Sequence, residues 1–204
     1  MKSSEQEILP IIGTTMAGGF YAGRINIEGQ LFALIVAPKA EGEQEGVALF
    51  SSSKDVPSAK SWNDGLANTN ALAEAGCKPA QWARDLRIDG HDDWYLPSLD
   101  ELEVIYRNLK PTAEENYVYN RSGLNLSAVP PTRPYTLELP TQTLAEAFQE
   151  GGEQAFADRW HWSSTLHASD SDFAWCQHFY DGLQSYSTVV NVKLRARAVR
   201  RLPI

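Results

Sequence analysis

The sequence predicts a mixed α+β fold, and three observations carry that prediction. Near the N-terminus, Phe20–Ile27 and Leu31–Ala37 flank a Glu28-Gly29 turn, which is a hairpin pattern. Midway, Asp89 to Leu102 (DGHDDWYLPSLDEL) reads as a turn, a short apolar strand and a capped helix. After Trp160 the chain becomes a series of short strand patterns. Runs of strands separated from runs of helix belong to the α+β class.

In chain order, residues 1 to 7 are polar and predicted to fray. Ile8–Ile12 is a short apolar run interrupted by Pro10. The second arm of the hairpin is almost wholly apolar, which predicts a central strand. Pro38 to Gly46 is a charged loop, and Val47–Phe50 is a further short strand. After polar residues 51–58, a helix is expected from about Ala59 to Ala75, with Trp62, Leu66, Thr69 and Ala73 towards one face. Gly76 ends it, and Gly65 weakens it. Pro79 opens a second helix over 80–86.

In the central stretch, Trp94-Tyr95-Leu96 suits a buried strand, and Pro97 stops ladder pairing because it has no N–H. Ser98 and Glu101 form a capping box, followed by Leu102, Ile105, Tyr106 and Leu109 on one helical face. Lys110-Pro111 closes the helix. Residues 111–140 are irregular and rich in proline; connections this long are usually functional or mobile. Thr143–Glu146 repeats the capping-box pattern and predicts a short helix through Phe148. Strands are expected at about 160–165, 173–179, 183–188 and 194–201. In the last, Arg195, Arg197, Arg200 and Arg201 alternate with Leu194, Ala196, Ala198 and Val199, the pattern of a strand with one wet face.

The 204 residues suggest one domain with insertions, or one domain with an N-terminal module. The natural division is 1–50, a β-hairpin region that is either part of the same domain or an oligomerisation element, and 51–204. The net charge of −8 argues against a nucleic-acid groove, which needs clustered cations. Cys77 and Cys176 read as two buried thiols. Residues 1–7 do not resemble a signal peptide, and no apolar run approaches the length of a membrane span. The expectation is a soluble protein made in the cytoplasm, with no membrane insertion.

Trp94, Trp162 and Trp175 read as core. Ser163 and Ser164 lie beside His161, but a nucleophile needs a base and an orienting acid in reach, and no G-x-S-x-G pattern is present. They read as structural hydroxyls, so no catalytic residue is assigned. His91, Asp92 and Asp93 match no metal-binding pattern and read as a solvated turn, so no metal or cofactor is assigned. The best binding candidates are polar and aromatic residues in and beside the loops between the late strands: His167, Asp170, Asp172, His178, Tyr180, Asp181, Gln184 and Tyr186. Such residues combine aromatic contact area with adaptable hydrogen bonding.

Three pieces together carry a family resemblance: Asp93-Trp94-Tyr95-Leu96-Pro97-Ser98 before a capped helix, then Trp162-Ser163-Ser164-Thr165, then Phe173-Ala174-Trp175, Phe179-Tyr180-Asp181-Gly182 and Arg195–Arg201. Over about residues 58 to 201 the chain resembles the family named for the C-terminal domain of the Lcl collagen-like adhesin. The resemblance implies a C-type-lectin-like fold, a mixed α+β domain with short antiparallel strands, two to three helices and long irregular loops. Family members include secreted adhesins and phage or prophage tail proteins. With no leader evident, the resemblance implies a virion tail component, made in the bacterial cytoplasm. Its expected role is non-enzymatic binding of a host-surface glycan or protein, with other virion tail proteins as partners and homo-oligomerisation possible. The alternative is a structural tail or baseplate protein. Lectins that hold sugar through calcium carry an E-P-N-type loop and a late W-N-D triplet. Here Trp62-Asn63-Asp64 falls on the predicted early helix and reads as coincidence. Formylglycine-generating enzymes share the broad fold and use cysteines, but no second cysteine is placed beside Cys176.

Overall fold

The computed structural model describes residues 9–119 and 122–204; the predicted fraying of residues 1–7 lies outside them. The fold is mixed α+β, with few helices and mostly antiparallel strands. The strands are β1 (Thr15–Met16), β2 (Gly19–Ile27), β3 (Gln30–Val36), β4 (Glu43–Val47), β5 (Trp160–Leu166), β6 (Phe173–His178), β7 (Gln184–Val189), β8 (Leu194–Arg197) and β9 (Val199–Pro203). The helices are α1 (Lys39–Gly42), α2 (Gly65–Glu74), α3 (Lys78–Asp85) and α4 (Leu99–Leu109), with a 3₁₀ turn at Glu146–Phe148.

One sheet has the order β1-β2-β3-β9, the other β4-β8-β5-β6-β7. All pairings are antiparallel except β5 with β8, which run parallel at His161 and Arg195. The hairpin forms as predicted. Glu28 and Gly29 both have positive φ, 51° and 88°, as a two-residue hairpin turn of matching twist requires. β3 is central, between β2 and β9. The N-terminal hairpin therefore shares a sheet with the C-terminal strand. β8 and β9 are one run of chain broken at Ala198, whose N–H donates to Gly42 and whose carbonyl accepts from Ala37. The same strand thus passes from one sheet to the other.

The central stretch organises the core. Ser98 and Glu101 close the predicted capping box at the start of α4. Trp94, Tyr95 and Leu96 are buried, but they do not form a strand: only Tyr95 pairs, as a single bridge to Val199. Two hydrophobic clusters result. One holds Trp94, Leu96, Trp162, Leu72 and both cysteines; the other holds Tyr95, Ile105, Tyr106, Phe148, Phe156 and Phe179.

Several expectations are corrected. The early helix begins at Gly65 rather than near Ala59, because the Asp64 side chain caps it by accepting from the Ala67 N–H. Gly65 opens that helix and does not interrupt it. A Cβ there would lie 2.2 Å from Glu101 Oε2 and 2.5 Å from the Ser98 nitrogen. The strand expected at 47–50 lies earlier, at 43–47. The capping-box pattern at Thr143–Glu146 opens only a 3₁₀ turn with no side-chain cap, since Thr143 Oγ1 accepts from the Ala145 N–H instead.

The largest correction concerns the arginines. The last strands have no freely wet arginine face, because acceptors engage each guanidinium, with Arg197 and Arg200 buried and Arg195 and Arg201 partly so. Arg197, with a side chain 1% exposed, donates to the carbonyls of Ala37 and Gln154 and lies 4.6 Å from the Phe156 ring centroid. Arg200 holds Asp93 with two bonds, at 2.7 and 3.0 Å. Arg201 reaches Asp64 at 2.9 Å, and Arg195 reaches Glu43 at 2.7 Å. Buried cations need such pairing, because desolvation of a lone charge is far more costly than these bonds are favourable.

Candidate ligand-binding cleft

The alternation of β6 builds the first wall of a cleft. Ala174 and Cys176 point into the core, so Trp175 between them points out and is only half-buried. Its expected place in the core is therefore corrected, whereas Trp94 and Trp162 are buried as read. On the neighbouring strand β7, Gln184 and Tyr186 lie two residues apart and share a face.

Trp62 supplies the second wall from the segment before α2. Its neighbours are pinned. Asn68 brackets Ser61, accepting from its N–H and donating to its carbonyl, and Thr165 Oγ1 donates to the same carbonyl. The Asp100 N–H donates to the Trp62 carbonyl at 2.9 Å. The ring is thus held out on fixed backbone.

The aromatic groups form an arc. Trp62 and Trp175 ring centroids are 4.9 Å apart at 57°, Trp175 and Tyr186 are 5.6 Å apart at 54°, and Tyr186 and His167 are 6.1 Å apart at 33°. Leu99, Asp100, Tyr119, Ser122 and Leu124 complete a cleft of about 540 Å³. Asp100 Oδ2 accepts from Ser127 Oγ at 2.8 Å. Beneath the cleft, burial pushes Glu101 up to about 7, while the Tyr95 hydroxyl and the Ser98 and Gly65 N–H groups donate to its carboxylate.

The candidate residues expected from the sequence fall in three places. Gln184 and Tyr186 line the cleft, and His167 touches it through Tyr186. Tyr180 and Asp181 line a separate groove, and His178 joins them through a 3.2 Å contact of Nδ1 with Asp181 Oδ1. Burial opposes the Asp181 charge, but His178 and the Leu183 N–H more than offset it, so its pKa falls below the usual carboxylate value. Asp170 and Asp172 form the turn before β6, where the Asp170 carboxylate accepts from the Asp172 N–H. Among the described residues no group of three or more His, Cys, Asp or Glu is arranged to hold a metal.

Sequence reasoning missed Trp62, Trp175, Tyr119 and the start of α4 as parts of this cleft. A readable signal existed for Trp175, since small Ala174 and Cys176 flank it in a strand pattern. Of the hydroxyls weighed as nucleophiles, Ser163 donates to the Trp175 carbonyl and Ser164 to that of Pro97. His161 bonds the Arg159 carbonyl through Nδ1. Cys77 and Cys176 are both free and buried, and burial pushes their thiols up to about 11 and about 12. They are neutral at physiological pH, and the thiolate is the reactive form.

No curated protein matches the chain. Among solved structures, a fimbrial protein from Bacteroides ovatus ATCC 8483 matches with a TM-score of 0.47 and 12% identity. The match covers 82% of this chain and 35% of that one, so this chain spans about a third of its length. A family model, the Lcl C-terminal domain, matches residues 44–200 and so takes in both walls of the cleft and all but the end of the arginine strand. The chain belongs to the Lcl C-terminal domain family.

Proposed function

We propose that this chain is a non-enzymatic recognition domain that engages a host-surface sugar through the Trp62–Trp175–Tyr186 cleft. In this reading it has a C-type-lectin-like fold and serves as a phage or prophage tail component. One observation carries the reading: large aromatic rings stand exposed on pinned backbone, around a cleft that also holds an amide and a hydroxyl. Trp62 is 46% exposed and Tyr186 48%. A sugar ring has an apolar C–H face that stacks on such rings, and equatorial hydroxyls that Gln184 and Ser122 are placed to meet. Small-ligand sites commonly combine an apolar lining with a few polar groups in this way. Preorganised aromatic contacts also lose little entropy on binding.

The test is binding of purified protein to an array of neutral bacterial surface saccharides and to intact bacterial cells. The reading expects saturable glycan binding that falls by at least about tenfold in Trp175→Ala and Tyr186→Ala, the scale of one lost stacking contact. Tyr180→Ala, in the other groove, retains it. Absence of glycan binding by the wild type, or binding indifferent to both cleft substitutions, overturns the reading.

A further inference from the structure

The second groove differs in construction from the cleft. Between α4 and the 3₁₀ turn the described residues form neither helix nor strand, apart from a single bridge of Ala128 to Ile25. This coil is nevertheless tightly specified. Asn116 is 2% exposed; its amide donates to the carbonyls of Thr136, Leu137 and Pro140, and its Oδ1 accepts from the Tyr106 hydroxyl. Buried Lys110 donates to the carbonyls of Glu114 and Pro140. Thr112 Oγ1 donates to the Tyr180 carbonyl, and the Tyr117 N–H to that of Asp181. Buried polar groups thus pin the backbone from beneath.

What this rigid backbone presents to water is apolar. Tyr117 is 48% exposed, Val118 55% and Leu137 47%, along a groove of about 780 Å³. Apolar side chains gathered at one place and rimmed by polar groups mark interaction surfaces. Every charged side chain lining this groove is a carboxylate: Glu114, Glu115 and Asp181. The Glu114 carboxylate beside Tyr180 raises that phenol above its ordinary value, as expected in a local negative field.

We propose that this groove docks a segment of a partner protein that carries lysine or arginine among aliphatic side chains. Charge complementarity selects that chemistry: apolar contacts fill the groove and cations meet its acidic rim. A second copy meeting this groove through the same groove fits poorly, because like faces would set carboxylate against carboxylate. The proposal is independent of glycan binding at the cleft.

The test pans a random-peptide display library against the full-length chain, then measures the affinity of the synthesised consensus peptide by calorimetry. Enriched peptides are expected to combine Lys or Arg with Leu, Ile, Val or Phe. The double substitution Glu114→Lys/Glu115→Lys is expected to weaken the consensus peptide by about a hundredfold, and Val118→Ser by about tenfold. All three positions are exposed, so the variants fold, and Trp175→Ala leaves the peptide affinity unchanged. No enrichment, enriched peptides without basic residues, or affinity unchanged in the double variant would each overturn the proposal.

Discussion

The last strand and the aromatic cleft invert the usual division between inside and outside. Along β8 and β9, guanidinium groups are buried; at the cleft, tryptophan and tyrosine rings stand in water. Arg197 is almost fully enclosed, whereas Trp62 is 46% exposed. Burial at the strand follows satisfaction of hydrogen bonds rather than hydrophobicity. Arg197 is tolerated because Ala37 and Gln154 supply its acceptors, with the Glu43 carboxylate 3.8 Å away. Exposure at the cleft has no such internal reason, since uncovered apolar rings gain nothing for folding. One region holds the fold together, and the other is the surface to which the proposed function assigns a ligand.

That contrast breaks most visibly at Arg197. Arg197→Ala strands the Gln154 and Ala37 carbonyls and leaves Glu43 to Arg195 alone, and is expected to destabilise by about 3 kcal/mol in urea unfolding at neutral pH. Arg197→Met, which keeps packing against Phe156 but removes the guanidinium, should lose nearly as much. A clearly smaller loss would mean that packing against Phe156, rather than the hydrogen bonds, makes the arginine necessary.

A smaller effect separates two buried titrating groups. Burial drives His161 down to about 3, from an ordinary value of 6.5. Below pH 6.5 the unfolded chain therefore takes up a proton that the folded chain refuses until about pH 3, and this group's stability is lost as pH falls, by about 1.4 kcal/mol per pH unit. Glu101 has the opposite sign. Its folded value of about 7 lies above 4.5, so its contribution is fully present below pH 4.5 and is lost as pH rises through 7. Between pH 4.5 and 6.5 the two slopes oppose each other. Relative to wild type, His161→Gln should gain stability as pH falls through that window, and Glu101→Gln should gain it as pH rises. Urea midpoints measured across the window check both, and curves parallel to wild type would contradict the assignment.

The smallest effect on stability is expected at the cleft. Trp62→Ala should stay within about 1 kcal/mol of wild type in urea unfolding, because half of the ring is already in water. The same variant should lose glycan binding. A large loss of stability would instead make Trp62 a structural residue.

The sequence was most legible where local chemistry alone decides the structure. The Glu28-Gly29 hairpin and the Ser98–Glu101 capping box are each set by a few adjacent residues, and both form as read. Legibility failed where a distant partner decides. Thr143–Glu146 has the same capping pattern as Ser98–Glu101, yet only the second stands before a helix buried along one face. The arginine alternation looked amphipathic because Asp93, Asp64 and Glu43, the acceptors that draw those side chains inward, lie more than a hundred residues away. The cleft shows both outcomes. Gln184 and Tyr186, read as binding candidates from their loop-and-strand setting, do line it. Trp62 was missed because Asp64 starts α2 after it, leaving the ring outside the helix that was expected to bury it.

The break at Ala198 bears on synthesis. Leu194–Arg197 is the strand between β4 and β5, and Val199–Pro203 lies beside β3. Until Leu194–Pro203 has been made, β4 has no strand partner and the β3 edge is uncovered. Pairings that span nearly the whole chain close slowly, and open edges invite association in the meantime. One short run, Leu194–Pro203, thus completes both sheets, although the β2–β3 hairpin and the β5–β6–β7 meander can pair before it is made.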